Sequence, residues 1–516
     1  MPEAKVFITN ITFNDGTPLK LTHNSIVVFT GANNCGKSQV LRDIEHLISK
    51  ENQSYVIAKE LMVDTEGALS DEFLSQGFNM VDGFYHCKGA LCTKDNLDNM
   101  WNSKELQQLH QLFINRLDTR QRLGASKSTV LGDPSVMIHS PLYKVFQDNE
   151  FERTISTLFK EAFDIPLAMN RRNGDSISLH VGTAPDRTSY TMEQEFEYYK
   201  ELSALPVLDE QGDGMIAFAN ILLDTFKSEY SVTLIDEPEA FLHPPQARML
   251  GKTLSKTHSN ERQLFISTHS VDFLQGLLDV KNENLTIIRI ERSGNTNPIR
   301  KLENTKVREL WSNPLLRYSN ILSGLFHKKV VVCESDYDCL LYHAVMDSIF
   351  ENRNEISPDI LFVHCGGKGR MATVVEALRA LSVPVMAIPD FDIINNKREF
   401  RPLVEAFDIV WDDQIDEAMK TIYDWLNADE SKKEGIKRGG KSVLDGDAPA
   451  KYELVESICA QAGLFIVPVG EMECFDKTVY KKEKKEWVYE IISRENLCDD
   501  PKLSKLREFI QAVIDC

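Results

Sequence analysis

Gly31-Ala32-Asn33-Asn34-Cys35-Gly36-Lys37-Ser38 fits the pattern G-x-x-x-x-G-K-S, and its flanks decide how it folds. Ahead of it, Ser25-Ile26-Val27-Val28-Phe29-Thr30 is an apolar, β-branched run that reads as a buried strand. Behind it, a helix starts near Lys37 and runs through Leu41, Ile44 and Leu47 at helical spacing. A phosphate cradle needs this strand–loop–helix order. The glycines let backbone N–H groups turn toward phosphate oxygens, Lys37 neutralises the β- and γ-phosphates, and the Ser38 hydroxyl ligates Mg²⁺. Gly31, Asn34, Gly36, Lys37 and Ser38 are therefore candidate ATP residues.

Working outward, Lys5 to Phe13 alternates like a strand and ends in a turn at Asn14-Asp15-Gly16. Downstream of Gly214 the pattern is regular α/β. A helix is expected over Met215–Phe226, then a strand ending in two acids, Val232-Thr233-Leu234-Ile235-Asp236-Glu237. Asp236 would hold Mg²⁺ and Glu237 would polarise the attacking water. A helix over 245–257, the strand Gln263–Ser267, a helix over 270–278 and a strand over 285–290 follow. His269, just past the strand Gln263–Ser267, can reach a γ-phosphate and report its presence. Such alternation implies a mostly parallel sheet covered by helices.

Between about 60 and 200 the pattern is less regular and reads as a mixed α/β insertion. Ser103 to Leu117 looks helical, and Ile165 to Val181 looks like a hairpin turning at Asn173-Gly174. Arg116, Arg120, Arg122, Arg171 and Arg172 could meet phosphates, but without a motif they read as ordinary surface arginines.

A second α/β unit begins at Lys329-Val330-Val331-Val332-Cys333, with a boundary expected between Asn304 and His327. Further strands are expected at Ile360–His364, 383–388 and Leu464–Pro468, and a mobile loop at Gly435–Asp447. The first strand ends in Glu334, with Asp338 on the next helix, and the third ends in Pro389-Asp390-Phe391-Asp392. Parallel strands line their carboxyl ends along one edge, so Glu334, Asp390 and Asp392 can converge. Oxygen ligands of this kind suit Mg²⁺ or Mn²⁺, and two such ions about 4 Å apart can clamp both oxygens of a phosphodiester displacement. Gly470-Glu471-Met472-Glu473 is a third acidic element.

Composition sets limits. The 516 residues are too many for one core. No long uncharged apolar run marks a membrane span, and no secretory signal is visible at Met1-Pro2-Glu3-Ala4-Lys5. The ten cysteines lack framework spacing, which fits free thiols and a cytoplasmic protein. His86, Cys87 and Cys92 lack the second pair that a structural zinc needs. A net charge of -20 argues against bulk nucleic-acid binding without excluding a local basic strip. The runs at Lys432-Lys433, Lys437-Arg438 with Lys441, and Lys481-Lys482 with Lys484-Lys485 read as solvated helix faces.

In their order, the first-half motifs resemble the ABC-type ATPase heads shared with SMC proteins. The resemblance makes Leu242-His243-Pro244 a D-loop and Gln211-Gly212-Asp213-Gly214-Met215 the signature, with Gly212 where serine is usual and Gly214 at the nucleotide. It also implies a dimer of heads with ATP at the interface. No glutamine stands out as a Q-loop residue. The second half resembles a TOPRIM domain, with Glu334, Gly366-Gly367 and Asp390-x-Asp392 in register, although Ser335 stands where glycine usually follows the glutamate. The two together resemble the OLD (overcoming lysogenization defect) nucleases, a group that includes Gabija and retron-associated effectors. That resemblance gives Asp338 and Glu473 to metal binding and a lysine among Lys477, Lys481 and Lys482 to phosphate charge.

The expectation is an ABC-type ATPase head over 1–310 and a TOPRIM domain with a C-terminal helical extension over 326–516. It would be an ATP-regulated, metal-dependent DNA endonuclease or nickase in anti-phage defence. Expected partners are DNA, a second copy of the chain, and a reverse transcriptase with its DNA product or a helicase-like protein. The rival is an ATP-dependent sensor whose TOPRIM core binds without cutting. A topoisomerase would need a tyrosine domain and a primase a zinc module, and neither is visible.

Overall fold

The computed structural model describes residues 4–50, 54–75, 77–87, 90–119, 121–123, 129–130, 141–173, 176–226, 230–302, 304–312, 320–480 and 483–516. It divides into two compact units, Met1–Asn304 and Thr305–Cys516.

In the first unit, Ile26–Thr30 is buried at every residue and lies inside a six-stranded sheet. Across the sheet the order is Ile299–Lys301, Leu285–Ile290, Ile26–Thr30, Gln263–Ser267, Val232–Asp236 and Ile114–Leu117. All neighbours are parallel except the Ile299–Lys301 edge. Strands covered on both faces must be apolar throughout, which is why these segments read as unbroken hydrophobic runs. Helix Lys37–Ser49 packs Val40, Leu41 and Ile44 into the same core as Val27, Phe29 and Phe265. A separate antiparallel sheet pairs Lys5–Phe13 with Pro18–Lys20 and Ala58–Glu66.

The helix expected over 103–117 is not formed. Helices Lys94–Asn102 and His110–Phe113 are followed by strand Ile114–Leu117, whose Ile114 and Leu117 stand opposite Val232 and Ile235. Pairing with a strand distant in sequence overrides the local helical period. The main sheet thus draws its edge strand from inside the stretch read as an insertion. The hairpin over 165–181 forms as Leu167–Asn173 and Ser176–Val181, with its Gly174 turn outside the described residues.

The second unit holds a parallel sheet ordered Ile360–His364, Lys329–Cys333, Val385–Ile388. Helices Asp336–Asn352, Lys484–Ile492 and Ser504–Asp515 supply Tyr342, Trp487 and Ile510 to the core that Val331 and Cys333 enter from the sheet. The strand expected at Leu464–Pro468 reduces to one bridge, Ala387 to Leu464. Phe465 and Val467 donate to the carbonyls of Ala387 and Pro389, but Pro389 has no N–H to return, so the ladder stops. The loop expected over 435–447 is instead helix Glu430–Gly439 and a tight turn over Gly440–Val443. Its end is fixed by Gly470 (φ 113°), where a Cβ would fall 2.1 Å from the Lys437 carbonyl.

Among the described residues no helix is long and apolar enough to cross a membrane. All ten cysteines are free thiols.

Candidate functional sites

The glycine-rich loop turns at Gly31 (φ 142°), Asn34 (φ 61°) and Gly36 (φ 105°). Gly31 cannot carry a side chain, because a Cβ would sit 2.2 Å from the Ile290 carbonyl. Lys37 is buried, and its Nζ donates to the carbonyls of Gly31 at 2.8 Å and Ala32 at 3.1 Å. The ammonium is therefore folded back over the loop where phosphates are expected. Helix Lys37–Ser49 has no side-chain cap at Gly36, so its first N–H groups and dipole are directed at the loop, with Ser38 in the first turn.

Asp236 stands in register with Ser267 and accepts its hydroxyl hydrogen bond. Glu237 has a left-handed backbone (φ 50°), with its N–H held by the Ser267 carbonyl at 2.9 Å. His269 Nδ1 lies 3.4 Å from Glu237 Oε1 and 3.3 Å from Glu239 Oε1. Glu239 was not singled out in the sequence. It is buried, accepts from Thr268 Oγ1 and the His269 N–H at 2.8 Å each, and burial pushes its carboxyl above the ordinary range. Its only sequence signal is the acidic spacing Asp236-Glu237-Pro238-Glu239.

Gly214 lies in the first turn of helix Asp213–Thr225, where a Cβ would meet the Phe241 carbonyl at 2.6 Å. The signature-like turn thus packs on the segment before Leu242-His243-Pro244. Gly212 has open space around it, so packing does not dictate glycine there.

Among the described arginines of the irregular region, Arg122 departs from the surface expectation. Arg116 pairs with Glu45, Arg171 with Glu152 and Arg172 with Glu195. Arg120 lies outside the described residues. Arg122 is not a surface arginine: it is 1% exposed, and its Nη2 donates to the Glu237 carbonyl at 2.9 Å.

In the second unit Cys333 and Ile388 are paired, so Glu334 and Asp390 leave adjacent strand ends. Glu334 Oε1 accepts the Asp390 N–H at 3.0 Å. Asp338 is buried and caps its own helix, its Oδ2 accepting from Ser335 N and Oγ at 2.8 and 2.9 Å. Ser335, where glycine was expected, is thus the N-cap residue. The Phe391 N–H donates to the Gly470 carbonyl, which brings the Glu471–Glu473 loop to the Asp390 turn. Glu473 Oε2 is buried without a hydrogen-bond partner.

Burial, followed by the neighbouring acids, raises the Asp390 carboxyl well above its ordinary range. Glu334 and Glu471 are raised as well, chiefly by burial. Lysines supply the counter-charge. Lys484 Nζ is 2.7 Å from Asp338 Oδ1 and 4.0 Å from Asp390 Oδ2. Lys368 Nζ lies 2.8 Å from Asp392 Oδ2, and Lys437 Nζ 4.0 Å. Burial alone would lower the Lys484 ammonium, but Asp390 and Asp338 overcome it and raise its pKa.

Of the lysines expected here, Lys477 lines a groove with Cys474, Phe475 and Thr478 and forms no ion pair with the cluster. Lys481 and Lys482 lie outside the described residues. Lys437 and Lys484, read as parts of solvated runs, point into the acids; the runs carry no periodicity that marks them.

The donor set fits hard divalent cations: all oxygens, with Glu334 and Asp390 raised chiefly by burial and then by the neighbouring acids, and one buried oxygen of Glu473 unpartnered. The geometry is not closed. Among the described residues no three His, Cys, Asp or Glu side chains stand together tightly enough to clasp an ion. Glu334, Asp338, Asp390, Asp392 and Glu473 are the residues that would hold it, with Lys484 giving way. His86, Cys87 and Cys92 form no such group either; His86 is exposed while both cysteines are buried.

The P-loop, acidic pair and histidine on one parallel sheet, and Glu334 with the Asp-x-Asp turn on another, define an ABC-type ATPase head followed by a TOPRIM domain. Residues 102–274 match a family described as AAA domain, putative AbiEii toxin, Type IV TA system, and residues 325–392 match the overcoming lysogenization defect protein-like TOPRIM domain. The chain has the ATPase–TOPRIM architecture of the OLD family. It is 28% identical over 187 residues to the Old nuclease of Escherichia phage P2, and 28% identical over 170 residues to the OLD nuclease of Thermus scotoductus. The matches cover 34% and 31% of this chain, and 31% and 30% of those proteins, less than a third of their length. Two solved SMC heads superpose loosely. One, bound to the C-terminal winged-helix domain of ScpA, has TM-score 0.36 and 13% identity, covering 59% of this chain and 99% of that one. The other, from Thermotoga maritima, has TM-score 0.28 and 11% identity, covering 58% and 100%.

Proposed function

We propose that this protein is an ATP-regulated, divalent-metal-dependent DNA endonuclease or nickase acting in anti-phage defence. The observation that carries the reading is the adjacency of Glu334 and Asp390, joined at 3.0 Å, with Asp338, Asp392 and Glu473 on neighbouring turns. Mg²⁺ or Mn²⁺ bound there would activate water and stabilise the charge of the displaced oxygen. The carboxylates orient the ions, and Lys484 and Lys368 are placed to meet a phosphate oxygen once the acids turn to metal. In the head, Lys37 and the loop amides hold ATP, Ser38 and Asp236 take its Mg²⁺, and Glu237 and His269 face its γ-phosphate. A dimer of heads would gate the nuclease sites. Partners consistent with this role are DNA, a second copy, and a reverse transcriptase with its DNA product or a helicase-like protein.

Wild-type protein is expected to nick or linearise supercoiled plasmid with Mg²⁺ or Mn²⁺ and to stop when the ion is chelated. One observation favours the rival, a sensor that binds without cutting: lysines already neutralise Asp338, Asp390 and Asp392. Titration with Mn²⁺ separates the two, because a binding module has no use for a pair of ions. Intact plasmid under every nucleotide and metal condition would reject the nuclease.

A further inference from the structure

Arg122 is among the largest fully buried side chains of the protein. It lies in the short turn Gln121–Leu123, just past the edge strand Ile114–Leu117 that pairs with Val232–Asp236. Its backbone is tied down at both ends: the N–H donates to the Asp118 carbonyl at 3.2 Å, and the carbonyl accepts from Asn220 Nδ2. Among the described residues the guanidinium makes one hydrogen bond, from Nη2 to the Glu237 carbonyl at 2.9 Å. Nε and Nη1 are buried without partners, as is Glu239 Oε2. The charges that sustain the cation are Glu239, Asp236, Glu237 and Asp118.

A buried cation with idle donors is costly to a fold, so what it does touch is informative. It touches the backbone of a residue whose conformation is strained. Glu237 is a non-glycine residue in the left-handed region (φ 50°). Its N–H is held by the Ser267 carbonyl at 2.9 Å, and its C=O accepts from both the Ala240 N–H at 2.9 Å and Arg122 Nη2, the one side chain among the described residues that reaches it. With both groups of the residue pinned, the side chain leaves the strand end in one direction, toward His269.

We propose that Arg122 is a positioning residue for ATP hydrolysis, clamping the Glu237 backbone so that its carboxylate is aimed at the attacking water. This rests on the ATPase reading of the head. Arg122 binds no phosphate in this role; it acts through Glu237.

The test compares wild type, Arg122→Lys and Arg122→Met in ATP turnover and in binding of a fluorescent ATP analogue. Arg122→Met is expected to lower kcat about 10²-fold, the scale of a reacting group displaced by about 1 Å, while the affinity for the analogue changes little. Arg122→Lys restores part of kcat, since an ammonium can still donate to the carbonyl. Placed in Glu237→Gln, Arg122→Met adds no further loss, because both changes remove one function. Unchanged kcat in Arg122→Met overturns the proposal. So does a parallel loss of kcat, affinity and melting temperature that lysine does not relieve, which would mark a structural role. Should Arg122→Met fail to fold, the kcat and affinity of Arg122→Lys decide between the same outcomes. Wild type without turnover overturns the ATPase reading itself, a result distinct from active wild type with equally active variants.

Discussion

Asp390→Ala is expected to lower plasmid cleavage by about 10³-fold or more, since carboxylate-held metal ions supply several kcal/mol of transition-state stabilisation. Asp390 is the most burdened acid in the cluster: largely buried, beside Glu334, Asp338 and Asp392, and relieved by Lys484. Its carboxyl is raised on folding, so its ionised form opposes the fold, and that cost grows as pH rises through the ordinary carboxylate range. Alanine removes the cost and leaves Lys484 its closer partner, Asp338. The variant should therefore melt no lower than wild type at neutral pH and still bind ATP. Thermal unfolding, nucleotide binding and plasmid cleavage measured on one preparation check all three. Cleavage equal to wild type would remove Asp390 from the reaction, and a large drop in melting temperature would mean the carboxylate supports the fold.

Lys37→Ala is expected to weaken ATP binding roughly 10²-fold, or about 3 kcal/mol, the scale of one or two hydrogen bonds to a charged group. Among the described residues Lys37 Nζ is held by the carbonyls of Gly31 and Ala32 alone, its own loop. The loop's shape comes instead from its glycines and from Asn297, whose Nδ2 donates to the Cys35 carbonyl at 2.8 Å. Removing the ammonium should leave the loop standing and delete the charge that meets the β- and γ-phosphates. Equilibrium binding of a fluorescent ATP analogue measures the loss, and an unchanged melting temperature without nucleotide confirms that the loop survives. If ATP governs cutting, the same variant loses any nucleotide dependence of plasmid cleavage while keeping its TOPRIM acids.

Much of the candidate nucleotide site was legible because it is local. Gly31 through Ser38 is one contiguous loop, and Asp236-Glu237 and His269 each end a strand whose apolar run is visible without a partner. Glu334 and the Asp390-x-Asp392 pair were readable for the same reason. Residues that act from a distance were not. Lys437 and Lys484 sit in charge runs indistinguishable from solvated faces, and only the packing of their helices turns them onto Asp392 and Asp338. Arg122 carries no local sign of burial; it goes inside because strand Ile114–Leu117 joins the sheet beside Val232–Asp236.

The one-dimensional pattern by itself determined which short segments become buried strands, which loops turn on glycine, and which acids end up at strand ends. These depend on side-chain type and spacing within a few residues. The tertiary structure alone decided which cations face those acids, that a proline at 389 ends the sheet after one bridge, and that the arginine at 122 is buried behind Glu237. Those outcomes depend on which distant strands and helices come together. Contacts between elements dozens of residues apart or more leave no periodicity in either one.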